Sequence, residues 1–374
     1  MNMHNLHTYL AQKLSEREQQ GNLRNLKLHG PGIDFYSNDY LGWASLPGND
    51  TIQGGTGATG SRLLSGNTAL AQVLEAEIAA FHDAEDALLF NSGYDANLGL
   101  LACIANRHTT ILYDAWCHAS ILDGIRLSQA RHAFKFAHNN PEALEALLQR
   151  CNEGPVLVVV ESVYSMDGDM APLQELAVLS EKYGFALVVD EAHATGVWGD
   201  KGEGLVQQLK LHKQVLARVH TFGKALGCHG AVVTGSSILK NYLLNFARSF
   251  IYTTALPEHG LLAIRRAYAR LQNPGFSNAI LHERIAYFRN RIASLPGNWK
   301  DSRSPIQALV VGGNDRTIRI AQQLQQNGVR ISPVLHPTVP LGAERLRICL
   351  HQFNTEAEID ELLNHINRCL CNEA

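Results

Sequence analysis

The chain has no strong charge of either sign, no long apolar run and no basic tract. Its 374 residues carry 32 Lys and Arg against 35 Asp and Glu, a net charge of −3 with His neutral. That balance gives no electrostatic footprint for nucleic acid or an anionic membrane surface. An anionic substrate would have to be met by a few local arginines. No segment approaches the ~18 consecutive apolar residues of a membrane span. The polar stretch 1–20 lacks the apolar core of a signal peptide. Seven cysteines, an odd and scattered set from Cys103 to Cys371, make no disulfide framework and point to reduced thiols. His365, Cys369 and Cys371 lack the fourth ligand of a structural metal site, so no metal is expected. Together these absences predict a cytoplasmic protein with no nucleic-acid and no membrane partner. There is no internal repeat or low-complexity tract either. The glycine-rich run Gly54–Arg62 reads as a loop, because no strand leads into it as a dinucleotide fingerprint requires.

What is present is a globular composition, 45% hydrophobic and 18% charged, with length for one large core and a second, smaller one. Residues 4–27 read as a polar amphipathic helix leading to a short extended piece at 32–36. Asn67 is placed to cap a helix whose apolar positions Leu70, Leu74, Ile78 and Phe81 recur at helical spacing. The chain then alternates. Strands are predicted at 87–90, 110–113, 133–137, 155–161, 186–190, 215–221 and 231–234, with helices at 118–130, 141–149 and 172–183. Such alternation predicts an α/β fold with a mainly parallel sheet covered on both faces. After Pro257 two long helices (258–272 and 280–294) lead to strands near 306–311, 329–332 and 345–350 and a final helix. The predicted division is an N-terminal segment 1–45, a large domain 46–257 and a small α/β domain 258–374.

The residues with chemistry fall at the predicted strand ends, where ligands bind in parallel sheets. Lys224 follows a strand and sits among glycines, a setting in which a lysine can hold an aldehyde as a Schiff base. Asp190 ends an apolar strand and needs a cationic or hydrogen-bonding partner once buried; a protonated pyridine nitrogen is one such partner, a capped turn another. His193 and Ser165 are placed to meet a ring hydroxyl. Ser92, Gly93 and Tyr94 follow a strand and precede a helix beginning near Asp95; they read either as an ordinary strand-to-helix turn or as backbone amides forming a phosphate site. His118 opens another helix and reads either as a cap or as an imidazole laid on a flat ring. Cys117 beside it lacks an activating base and reads as packing. Ser165, Asp190 and His193 also stand in the chain order of an α/β-hydrolase triad. The flanks Val163-Tyr164-Ser165-Met166-Asp167 lack the nucleophile elbow, and Asp190 and His193 are too close in sequence for separate loops.

Four strings carry a family likeness: Ser-Asn-Asp-Tyr-Leu-Gly (37–42), Tyr-Ser-Met-Asp-Gly-Asp (164–169), Asp-Glu-Ala-His-Ala-Thr-Gly (190–196) and Thr-Phe-Gly-Lys-Ala-Leu-Gly (221–227). They resemble the α-oxoamine synthases, pyridoxal-phosphate enzymes of the aspartate-aminotransferase fold (fold type I). The resemblance extends over essentially the whole chain, including Pro337–Pro340 and Arg345-Leu346-Arg347. It implies that Lys224 bears the cofactor aldehyde, His118 stacks on its ring, Asp190 pairs with its nitrogen, and His193 and Ser165 approach its hydroxyl. The backbone of Gly93 and Tyr94, with Thr221, would hold the phosphate, joined by Thr253 or Thr254 of a neighbouring subunit in a homodimer with shared sites. Arg347 would bind the amino-acid carboxylate; Arg24, Asn38, His118 and Thr338 would meet substrate. Within the family, Asn-Asp-Tyr-Leu-Gly and Ala-His-Asn (137–139) lean towards the decarboxylative condensation of L-alanine with a pimeloyl thioester, carried by CoA or an acyl carrier protein, in biotin biosynthesis. Glycine with acetyl-CoA or succinyl-CoA, serine with palmitoyl-CoA, a plain aminotransferase and a non-catalytic cofactor-binding homologue are the rivals. The segment from Gly42 to Gly55 is several residues shorter than is usual in the family, which bears on the acyl-CoA entrance and the dimer contact.

Overall fold

A computed structural model describes residues 3–26, 28, 30–46, 55–151 and 153–371. In chain order the strands are β1 (Ile33–Asp34), β2 (Asp86–Phe90), β3 (Thr110–Asp114), β4 (His132–Phe136), β5 (Val156–Glu161), β6 (Ala186–Asp190), β7 (Ala217–Thr221), β8 (Ala231–Gly235), β9 (Asn298–Trp299), β10 (Ile306–Val310), β11 (Val329–Arg330), β12 (Ser332–Val334) and β13 (Arg345–Cys349). The large sheet runs β2-β8-β7-β6-β5-β3-β4. β4, β3, β5, β6 and β7 are parallel, and β8 is antiparallel to both its neighbours.

Why these runs form strands buried on both faces is clearest at β5. Successive side chains of a strand point to opposite faces. Leu157 and Val159 enter one core with Leu100 and Leu101 of helix Gly93–Ile104 and Ile121 of helix Ala119–Leu127. Val158 and Val160 enter the other with Leu144 of helix Pro141–Leu148 and Leu176 of helix Leu173–Tyr183. Each such fully buried Val or Leu contributes roughly 1.5–3 kcal/mol. The result is a helix–sheet–helix sandwich with one edge of strand ends left for a ligand.

Several expectations need correction. The opening helix, Met3–Gln19, stops short of 27 because Gly21 turns the chain at φ 64°. Thr68, not Asn67, caps helix Ala69–Phe81 by accepting from Ala71 N; Asn67 Oδ1 accepts from Arg62 Nε instead. The predicted strand at 329–332 is two short ones, β11 and β12, preceded by a helix, Asn314–Gln326, that the sequence reading did not name. Glycine-loop residue Gly54 and positions 47–53, where a shortened segment is expected, lie outside the described residues.

The domain division also differs. One compact unit comprises Met1–Ser37, Met166–Gly168 and His282–Ala374; the other comprises Asn38–Ser165 and Asp169–Leu281. The N-terminal segment is no separate body, since β1 pairs in parallel with β11. Helix Glu258–Leu271 belongs to the larger unit and not to the smaller one, because its apolar face packs on helix Ala69–Phe81. There Tyr268 meets Phe81 edge-on and its hydroxyl bonds His82 Nε2 at 2.9 Å. The smaller unit has its own four-stranded antiparallel sheet, β12-β13-β10-β9. No helix among the described residues is long and apolar enough to cross a membrane.

Candidate active site

In the larger unit, β3, β5, β6 and β7 end side by side in Asp114, Glu161, Asp190 and Thr221. Glu161 and Asp190 are register partners. Four adjacent parallel strands therefore stop on polar side chains at the edge where a ligand is expected.

Asp190 is 5% exposed. Its Oδ1 accepts from Ala192 N at 2.8 Å and its Oδ2 from Asn97 Nδ2 at 2.7 Å, so its protein donors are both neutral. Asn97 was not foreseen. It sits on the buried face of helix Gly93–Ile104, one turn beyond Gly93, and the one sequence signal for it is an amide interrupting an otherwise apolar face. Glu161 accepts from His118 N at 2.6 Å. Burial, with Asp190 beside it, pushes its carboxyl well above the ordinary range.

His118 is a cap and a site residue at once. It is the N-cap of helix Ala119–Leu127, its Nδ1 accepting from Ser120 N at 3.2 Å and lying 2.8 Å from Ser120 Oγ. Burial lowers its pKa, with Asp190 opposing and Lys224 adding to the fall, so the three groups share one electrostatic neighbourhood. Cys117 is packing: its thiol is buried and held well above its ordinary pKa by that burial and by Glu161 and Asp114.

His193 bonds Tyr40 OH through Nδ1 at 2.7 Å, and Tyr40 OH donates to Asn38 Oδ1 at 3.2 Å. The motif at 37–42 thus enters the site through a fully buried tyrosine that the sequence reading did not single out. A hydrolase triad needs the histidine's Nδ1 on the aspartate; here Tyr40 has it. Ser165 follows β5 in the loop 162–165 and is half-buried.

Lys224 sits on a tight turn closed by Gly227 N to Lys224 O at 2.9 Å and Cys228 N to Phe222 O at 2.8 Å. Its Nζ donates to Thr221 Oγ1 at 3.5 Å. Thr221 in turn touches Gly93, where a Cβ would meet its Cγ2 at 2.4 Å. Ser92 caps that helix by accepting from Asp95 N at 3.1 Å, and the amides of Gly93 and Tyr94 in the first turn have no intrahelical acceptor. The Tyr94 side chain leaves to Asp123, which accepts from its hydroxyl. Thr253 Oγ1 and Thr254 O both accept from Asn91 Nδ2, at 3.0 and 2.8 Å, next to Ser92. The structure therefore gathers Gly93, Tyr94, His118, Asp190, His193, Thr221 and Lys224 at one sheet edge, with Thr253 and Thr254 beside the phosphate-type helix end.

Three predicted substrate residues lie in the smaller unit. Arg24 and Thr338 line one cleft of about 290 Å³, together with Arg17, Met166 and His336. Arg347 stands on β13 in register with Ser332 and Ala308, and donates to Cys349 Sγ. Among the described residues no cluster of His, Cys, Asp or Glu could hold a metal.

These residues fit an aldehyde-bearing, phosphorylated pyridine. Asp190 is a buried carboxylate with neutral donors, which a pyridinium complements. The helix end at Gly93 is kept free of a side chain, and a lysine stands on the turn after β7, the strand beside the one that ends in Asp190. The family model for class I and II aminotransferases matches residues 31–366, and the chain belongs to that family; its fold is fold type I of the pyridoxal-phosphate enzymes. Within it, the chain is similar to several 8-amino-7-oxononanoate synthases. The one from Emericella nidulans is 42% identical over 96% of this chain and 94% of its own. That from Chromohalobacter salexigens is 39% identical over 98% and 97%. Among solved structures, the 8-amino-7-oxononanoate synthase of Francisella tularensis aligns with a TM-score of 0.78 at 30% identity, covering 91% of this chain and 98% of that one. Serine palmitoyltransferase from Sphingomonas wittichii aligns at 0.86 and 28% identity, covering 91% and 88%.

Proposed function

We propose that this protein condenses L-alanine with a pimeloyl thioester to give 8-amino-7-oxononanoate, carbon dioxide and the free thiol, as a step of biotin biosynthesis. The observation that carries the reading is the buried Asp190, held by neutral donors, beside a lysine on the neighbouring strand's turn; the name of the relative at 42% identity suggests the substrates. Pyridoxal phosphate, when bound, supplies an electron sink for a carbanion at the alanine Cα.

The chain's residues do the rest. Lys224 Nζ would hold the cofactor's aldehyde carbon and, as a free amine, would accept the alanine Cα proton. Asp190 would pair with the protonated ring nitrogen. His193 and Ser165 would bond the ring hydroxyl, and His118 would contact the ring. The amides of Gly93 and Tyr94 and the Thr221 hydroxyl hold the phosphate, with Thr253 or Thr254 of a second subunit completing it in a homodimer. Arg347 takes the alanine carboxylate; Arg24, Asn38 and Thr338 contact substrate. A bond forms between alanine Cα and the acyl carbonyl carbon as the carbon–sulfur bond breaks, and the departing thiolate takes a proton from solvent. The carboxylate then leaves as carbon dioxide, and Cα regains its proton from the ammonium of Lys224. Coenzyme A and an acyl carrier protein are both admissible carriers, and the setting is cytoplasmic.

Thiol release by the cofactor-loaded enzyme tests this. Alanine with pimeloyl-CoA is expected to exceed glycine or serine with acetyl-, succinyl- or palmitoyl-CoA. A higher rate with glycine or serine would replace the substrates. Lys224→Ala is expected to bind cofactor yet release no thiol above background, and normal turnover by that variant would overturn the site.

A further inference from the structure

Between Asp190 and His118 lie two buried residues to which nothing so far assigns a role, Asn97 at 2% exposure and Ser120 at 0%. Asn97 Nδ2 donates to Asp190 Oδ2 at 2.7 Å and to Ser120 Oγ at 3.0 Å. Ser120 Oγ lies 2.8 Å from His118 Nδ1, and Ser120 N donates to the same Nδ1 at 3.2 Å. We infer that Asn97 and Ser120 are positioning residues forming a one-way relay that fixes the His118 proton on Nε2, making this imidazole a hydrogen-bond donor and not a base.

Each direction follows from what an atom can do. As a carboxylate, Asp190 only accepts, so Asn97 must turn its amide nitrogen towards it; the flipped amide would set oxygen against oxygen at 2.7 Å. The same nitrogen then donates to Ser120 Oγ, which is left its own O–H to give. A backbone N–H only donates, so Nδ1 of His118 must present its lone pair to Ser120 N. Nδ1 therefore carries no proton, the Ser120 hydroxyl points at it, and the neutral ring is protonated on Nε2. Burial favours the neutral ring as well. The groups bearing on it are Asp190, Lys224 and Asp123, with Glu161 on its backbone amide. Asn97 Oδ1 is buried without a partner among the described residues, so the orientation is set by the two donor bonds. This leaves His118 as a donor beside Lys224, to which the proton-accepting role is already assigned.

The relay is built from the chain's own hydrogen bonds, so its failure leaves the proposed condensation standing, and the reverse holds too. Ring ¹⁵N resonances of the cofactor-loaded protein, with His118 identified by its loss in His118→Gln, report the tautomer directly. The expected wild-type result is an unprotonated Nδ1 and a protonated Nε2; the opposite tautomer would overturn the inference without any variant at the relay. Asn97→Asp reverses the chain, because the introduced carboxylate accepts the Ser120 hydroxyl proton and turns the serine lone pair on Nδ1. The His118 titration is expected to move up by about one pH unit, about tenfold in proton affinity. Ser120→Ala in the same background should cancel most of that shift, while Ser120→Thr keeps it. A shift of equal size with and without the hydroxyl means through-space repulsion alone, and the relay is wrong.

Discussion

At Gly93 the place of a side chain is taken by Thr221, whose Cγ2 would lie 2.4 Å from an added Cβ. That distance is far inside van der Waals contact, and both partners are fixed, one by a capped helix and the other by the end of β7. Gly93→Ala must therefore push the helix end off the threonine, spoiling two of the groups assigned to the phosphate. Cofactor affinity is expected to fall at least about tenfold, since a single displaced charge-assisted hydrogen bond is worth roughly 1.5–3 kcal/mol. Titration of the cofactor-free variant checks it. Unchanged affinity would separate Gly93 from the cofactor site. Residue by residue, the sequence reveals those side chains whose type is odd for their place: Lys224 among glycines, Asp190 closing an apolar strand, His193 three residues on. Asn97, Ser120 and Tyr40 stay hidden because an amide, a hydroxyl or a phenol on a helix or loop reads equally well as surface. Their roles rest in part on distant partners, Asp190 for Asn97, Asn97 for Ser120 and His193 for Tyr40.

The loop after β5 is held by an element-level clamp. His138, just past β4, places Nδ1 on Asp114 Oδ1 at 2.8 Å and Nε2 on Asp169 Oδ2 at 2.5 Å, while Trp116 stacks on its ring at 3.8 Å. Asn139 adds a bond to Asp169 at 2.7 Å. Burial opposes the charged ring, but the hydrogen bonds it donates to the two aspartates, with their negative charge, outweigh that and raise the pKa to about 9. The folded value lies above the ordinary 6.5, so the stabilisation is complete below that pH and is lost as pH rises through about 9. Denaturant unfolding should show wild type losing on the order of 3 kcal/mol between neutral pH and pH ~10. His138→Gln should start lower at neutral pH and lose much less over the same interval; parallel curves would sink the clamp. Elements of this kind are legible in part. The central strands of the large sheet, such as β5 and β6, are readable because each is a short β-branched or aliphatic run buried along its length, whereas the edge strand β4, His132–Phe136, is largely exposed. The domain boundary is not legible. Helix Glu258–Leu271 shows an apolar face that would suit either unit, and only the distant His82 and Phe81 decide where it packs.

For the whole molecule, the shared active site of the proposed homodimer makes a prediction that a single chain cannot satisfy. Thr253 is half-buried and its Oγ1 is held against its own chain by accepting from Asn91, whereas Thr254 is exposed and gives only its carbonyl to that amide. Thr254 is therefore the more accessible donor to a partner's phosphate. An acidic side chain there would repel the phosphate by like charge, so Thr254→Asp is expected to lose cofactor and activity. Lys224→Ala is inactive for a separate reason. In a two-fold dimer whose sites take Lys224 from one chain and Thr254 from the other, co-expressing the two inactive variants restores one intact site in every mixed dimer. Thiol release should then reappear in the mixed preparation, with cofactor retained at one site per dimer. If lysine and threonine serve the same site from the same chain, each site of the mixed dimer keeps one lesion. Activity then stays at background, and the shared site is excluded.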